Sequence, residues 1–325
     1  MKSISRCSSL FLFVGIITTA ISCKKDVLHP HSVQKLNSNT SNSLYNVKFV
    51  NDSVCIIGGG DTWNQTTVLR STDGGYSWQS IPFPNVGKAM FGLSLSPERV
   101  GVYLCGVDGD VLSSKDNGLN WEFARIGDWM HYVGGTFINK DTGVFVNTVL
   151  QKQGTVTQVD STFNIIDQQT FQFGLNNIYM ISASTGYILG YGAVQMTTDY
   201  RRSWTVLNVA DDNFIALDVH GEEMWMCGYN GSVYHTLDAG IHWDKQRNGN
   251  DISIPHYGFL DIRFKDRLNG WVCCDNGKLL YTNDGGNHWM EYVQFTTSAL
   301  RSIALCPNGD LLLVGDNGSI YRVTP

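Results

Sequence analysis

The chain has 325 residues, of which 42% are apolar, 12% aromatic and only 16% charged. That balance excludes a disordered polymer and describes a well-packed soluble body. Its formal charge is −6, with 23 basic against 29 acidic residues, which argues against nucleic acid or an anionic membrane surface as partner of the main body.

The first residues differ in kind from the rest. Met1 to Arg6 form a short basic region, and Ser8 to Ala20 are apolar for about a dozen residues, too few to cross a bilayer as a helix. Ala20-Ile21-Ser22-Cys23 follows and is similar to a bacterial lipobox, departing from its commonest form at Ala20 and Ile21. The expectation is a signal peptide over 1–22 and diacylation of Cys23; an ordinary secretory peptide is the alternative. Cleavage there takes Lys2 and Arg6 from the 23 basic residues, leaving 21 against 29 acidic, a formal −8. Residues 23–43 are read as anchor, tether and the strand that closes the fold described next.

From 44 to 325 the chain repeats. Ser71-Thr-Asp73-Gly-Gly75-Tyr-Ser-Trp78 recurs at Asp116/Trp121, Asp199/Trp204, Asp238/Trp243 and Asp284/Trp289 as Ser/Thr-x-Asp-x-Gly-x-x-Trp, with Arg201 replacing Gly in the third copy. The tryptophans step by 43, 83, 39 and 46 residues, so a worn copy is expected inside the double step. Gln158-Val-Asp160-Ser-Thr-Phe-Asn-Ile165 fills it, with Ile165 in the Trp position. A fixed period of about forty residues marks a repeat architecture.

Each repeat holds four short alternating segments, as in Leu260–Phe264, Gly270–Cys274, Lys278–Thr282 and Trp289–Val293, separated by turn residues. Four antiparallel strands per period read as a propeller blade. Six repeats begin near 44, 88, 131, 175, 213 and 258, and a seventh begins at Leu300 and stops after three strands. The fold expected is all-β: a seven-bladed propeller of four-stranded blades, six or eight blades being the alternatives. Because a three-stranded blade leaves a bare edge, residues near 27–39 are expected to supply its outer strand.

In the repeated phrase Asp accepts turn N–H groups, Gly takes positive φ and Trp packs beneath. Asp73, Asp116, Asp199, Asp238 and Asp284 are therefore read as structural together with their tryptophans, not as catalytic or metal-binding. Tyr103, Tyr187, Trp225 and Trp271 read as core aromatics of the second strand. Cys105, Cys227 and Cys273 share one position in that strand, which suits a small buried hydrophobe. No Cys-x-x-Cys or clustered His/Cys set occurs, so neither a metal nor a cofactor is implied.

The fuller wording of Asn269 to Trp289 resembles the photosystem II assembly and stability factor-like family, a likeness that covers nearly all of 44–323. It implies a seven-bladed propeller acting as a non-enzymatic binding platform or assembly chaperone. The arginine-rich patch of its photosynthetic members has no counterpart here, where Arg is sparse and scattered. Sialidases share the Asp-box, but Phe123-Ala-Arg-Ile126 follows the second box and lacks their Pro. No carboxylate pair of the kind glycosidases use is marked among Asp61, Asp128, Asp211, Asp212 and Asp251.

Function is sought instead on the loops expected to ring one mouth of the channel. These carry Trp63, Trp129, His131, Tyr132, Phe171, Phe173, Phe214, His256, Tyr257 and Phe259. Exposed aromatics among polar groups mark recognition sites; folded inward, the same rings would plug the bore. The expectation is a monomeric lipoprotein of the bacterial cell envelope, outer membrane included, held to the membrane only by Cys23. It binds an envelope protein and is not an enzyme; a glycan-binding protein or glycoside hydrolase using the same funnel is the alternative.

Overall fold

The computed structural model describes residues 27–83, 86–96, 101–127, 129–149 and 151–325; the signal segment and Cys23 lie outside them. The chain forms seven antiparallel sheets in sequence order, with no α-helix among the described residues. Strands are lettered A to D from the channel outward. Blade 1 is Ser43–Phe49, Cys55–Asp61, Gln65–Ser71 and Gln79–Ile81. The later A strands are Met90–Leu95, Tyr132–Phe137, Leu175–Met180, Phe214–His220, Phe259–Phe264 and Leu300–Leu305. The protein is a seven-bladed β-propeller.

Burial changes across each blade. B strands such as Val102–Gly106, Gly186–Gly190 and Gly270–Cys274 are buried at every residue because both faces meet a neighbouring blade. D strands such as Glu122–Arg125 face solvent. The core is accordingly divided into seven apolar clusters, one at each blade–blade interface. Between blades 5 and 6, Trp225 stacks on Phe264 at 3.9 Å between ring centres and donates Nε1–H to the Gly285 carbonyl at 3.0 Å. Tyr103, Tyr187, Trp225 and Trp271 are all buried, and the six described cysteines are buried and unpaired.

The ring closes through the N-terminal segment. Ser32–Leu36 pairs antiparallel with Ile320–Thr324 and becomes strand D of blade 7. Val27–Leu28 adds a further contact, pairing parallel with Glu291 and Tyr292 of blade 6. Leu36 then enters the cluster that joins blades 7 and 1. Across the same seam, Arg322 of blade 7 donates to the Gly74 carbonyl of blade 1 at 2.8 Å and pairs with Asp310 at 2.7 Å.

The worn copy around Asp160, in blade 3, departs from its expected register. Asp160 still accepts the Thr162 and Asn164 backbone N–H groups at 2.8 and 3.0 Å. However, Ile165 begins the outer strand and is exposed, while Phe163 takes the inward place beside Phe137 and Phe145. With fewer residues between Asp and the next strand, the aromatic must come from inside the turn, and Phe163 adopts a φ of 65° to reach it.

Candidate functional site

All seven A strands carry a β-bulge one residue in, between 44/46, 90/92, 132/134, 175/177, 214/216, 259/261 and 300/302. A bulge inserts one extra residue and re-aims the strand. Just before it, Leu44, Met90, Tyr132, Leu175, Phe214, Phe259 and Leu300 are all fully buried. The inserted residues, Tyr45, Phe91, Val133, Asn176, Ile215, Leu260 and Arg301, all line the channel. Three residues on, Lys48, Ser94, Thr136, Tyr179, Asp218 and Arg263 form a second, polar ring in its wall.

This geometry corrects three of the expected mouth residues. Tyr132, Phe214 and Phe259 occupy the position before the bulge, and the core between blades takes them. Tyr132 donates its hydroxyl to Thr157 Oγ1 at 3.0 Å. The signal was in the sequence: the same position is Leu or Met in the other four blades. Phe171 and Phe173 are half-buried, edge to face at 5.9 Å, and wedge against Trp204 between blades 3 and 4.

Trp63 and Trp129 remain open, each 60% exposed. Trp63 sits at the tip of the B–C hairpin of blade 1, its backbone N–H held by Asp61 Oδ1 at 3.0 Å. His131 meets it edge on at 5.5 Å, and Lys88 Nζ stands 5.6 Å from its ring centre. Trp129, in the D–A loop, carries the Arg125 guanidinium at 4.5 Å, within cation–π range. Arg125 pairs with Asp110 at 2.6 Å and Lys88 pairs with Asp108. Burial pushes the Asp110 carboxyl up, Arg125 opposing it, and the neighbouring Asp108 charge adds to the rise. Two indoles, an imidazole and two ion pairs thus share one patch over blades 1 to 3.

A second group lies over blades 5 and 6. His256 is exposed and meets the Gly249 carbonyl at 3.2 Å. Tyr257 is half-buried, donates to Glu291 Oε1 at 2.6 Å and lies under Lys278 Nζ at 5.1 Å. Burial and then the Glu291 carboxylate push its hydroxyl above the usual phenol range. Tyr229, which sequence reasoning missed, adds an exposed ring whose hydroxyl donates to Asp275 at 2.8 Å. Among the described residues, no group of three or more His, Cys, Asp or Glu is placed to hold a metal ion.

At the opposite face, each repeated Asp closes its own turn. Asp73 Oδ1 accepts the Tyr76 and Ser77 N–H groups at 3.0 Å and the Ser71 hydroxyl at 2.7 Å. Asp116, Asp199, Asp238 and Asp284 each accept the N–H four residues on, at 2.8 to 3.0 Å. The paired tryptophans lie against the interblade clusters: Trp78 within one, and Trp121, Trp204, Trp243 and Trp289 packed on others.

No family model matches the chain, and no curated protein matches its sequence. Solved structures do match it. A structure of YCF48 bound to D1 peptide aligns with a TM-score of 0.71 at 14% identity, covering 93% of this chain and 99% of that one. YCF48 from Cyanidioschyzon merolae gives 0.68 at 15%, covering 90% and 99%. The virginiamycin B lyase of Staphylococcus aureus gives 0.70 at 12%, also covering 90% and 99%. At these identities the likeness establishes the shared propeller fold, and that fold carries binding proteins and a lyase alike.

Proposed function

We propose that this propeller is a non-catalytic scaffold of the bacterial cell envelope, anchored through Cys23, which binds a protein partner at its aromatic mouth. The observation that carries the reading is the exposure of Trp63 and Trp129, each 60% accessible and flanked by Lys88 and Arg125 respectively. Large exposed indoles beside cations are the composition of interface hot spots. The similar propeller of YCF48 bound to D1 peptide supports the same use of the fold. Chemical cross-linking in envelope fractions, followed by capture of the full chain, tests this. One protein partner should be retained by the wild type and lost from the Trp63→Ala/Trp129→Ala double variant. Retention of the same partners by both would refute the reading.

One observation favours the glycosidase alternative: Asp110, whose carboxyl is raised by burial, lies near Asp108, and the two pair with the cations that stand over Trp129 and Trp63. Both carboxylates are already engaged by Arg125 and Lys88, which favours a positioning part over acid–base work. Polysaccharide turnover that disappears in Asp110→Asn would establish the enzyme instead.

A further inference from the structure

Beneath the mouth the channel holds a cavity of about 500 Å³ walled by A strands of the blades, a size typical of small-molecule sites. The charges in its wall are unequally satisfied. Asp261 accepts the Ile262 and Ile303 backbone N–H groups at 3.0 Å and the Ser302 hydroxyl at 2.9 Å. Asp218 accepts the Phe264 N–H at 2.7 Å and meets His220 Nε2 at 3.1 Å. Arg263 donates to the Ile262 carbonyl at 2.7 Å and pairs with Asp261 at 3.1 Å and Asp218 at 3.8 Å. Both carboxylates are tied to backbone and cannot swing across the lumen.

Lys48 is the exception. Among the described residues its ammonium makes no hydrogen bond and no ion pair, although it lines the same cavity. Lys48 is half-buried in the channel wall, and an ammonium that has given up part of its hydration without gaining a partner is costly. Burial, followed by the Arg263 charge, holds its pKa down to about 8, against the pull of Asp261 and Asp218. At neutral pH it is therefore still mostly a cation in want of an anion. Above it, the upper ring carries Tyr45 and Phe91 edge to face at 5.1 Å, with Ile215 and Leu260 also in the lining; its one cation, Arg301, lies 5.0 Å from the Tyr45 ring centre and is already paired with Asp316 at 2.5 Å.

We propose that the channel binds a small monocarboxylate with an aromatic or apolar body, its carboxylate held by Lys48 Nζ and its body seated against the upper ring. This site is separate from the indole patch and stands or falls without it. The test is calorimetric titration of the full chain in detergent at pH 7 with 1-naphthoate and with its uncharged analogue 1-naphthamide. Naphthoate should bind saturably at one per chain and at least tenfold tighter than the amide, and Lys48→Met should erase that preference while keeping amide binding. Equal affinities, no saturable binding, or an unchanged preference in Lys48→Met would overturn the proposal.

The pH profile of the wild type gives a second readout that needs no variant. Naphthoate affinity should fall at least tenfold between pH 7 and pH 10 as Lys48 loses its charge. Of the groups facing it, Arg263 is held charged by Asp261 and Asp218 despite burial. Asp218 is kept low, against burial, by His220 and Arg263, and burial pushes the Tyr179 hydroxyl up. A flat profile would likewise overturn the assignment.

Discussion

Arg201 shows how strictly the repeated turn imposes its backbone. It stands where the other four full copies have glycine, and it still adopts a φ of 67°. The strain of a left-handed non-glycine residue is offset by burial of its guanidinium, which donates to the Ala183 carbonyl at 2.7 Å and Gln158 Oε1 at 3.1 Å. No such compensation exists at Gly118, where φ is 74° and an added Cβ would lie 2.4 Å from Ile56 Cδ1. Gly118→Ala should therefore cost about 1–3 kcal/mol, read as a lower urea midpoint at unchanged slope; an unchanged midpoint would contradict the turn assignment.

The turn carboxylates also set an acid limit. Asp116 is held at about 2, chiefly by the Asn120 backbone N–H and then its side chain, and Asp238 at about 2, chiefly by the His242 N–H and then its ring. Their folded values lie below the unfolded value of about 3.9. The stabilisation is thus complete above that value and lost as pH falls towards 2. The melting temperature should hold between pH 7 and 5 and decline below pH 4. Asp116→Asn should make the decline shallower, and calorimetry across pH 2–7 that finds no decline would rule this linkage out.

At the scale of the element, the closing strand has most leverage. Ser32–Leu36 supplies the one D strand that does not follow directly on its C strand in the chain, and Leu36 fills the seam with Leu312 and Ile320. Leu36→Ala should cost about 2–4 kcal/mol, whereas Trp63→Ala, at an exposed tip, should change stability by less than about 0.5 kcal/mol. Denaturant titration of both variants separates them, and similar losses would remove the distinction between seam and mouth.

Legibility in the sequence divides along the same line. The pairing of Ser32–Leu36 with Ile320–Thr324 matches the outer strand expected near 27–39, and strand patterns could be read from alternation. The parallel pairing of Val27–Leu28 could not, because two residues carry no pattern. Of ten aromatics expected at the mouth, Trp63 and Trp129 are well exposed, while Tyr132, Phe214 and Phe259 are core. Those three look like loop residues only because the strand begins one residue before its bulge.

For the whole molecule, closure makes the seven interfaces interdependent. Opening the seam between blades 7 and 1 strips one cluster and leaves two sheet faces bare, so melting should proceed as a single transition followed alike by near- and far-UV circular dichroism. Leu36→Ala should shift that transition without splitting it; an early separate phase would show that blade 7 opens alone. The low helix content and long-range pairing also imply slow folding.

The sequence by itself determined the repeat and pointed to seven blades, with six or eight left as alternatives, and to closure by the N-terminal segment, because these follow from local alternation, turn chemistry and period. It also placed Asp73 and its counterparts in turns, where their partners lie within four residues. Only the tertiary structure decided which residues face the channel. A one-residue bulge exchanges the faces of a strand, so Tyr132 enters the core and Val133 the lumen. It likewise brought Lys48 of blade 1 into the wall that holds Arg263 of blade 6, a meeting of residues far apart in the chain that exists only once the ring is closed.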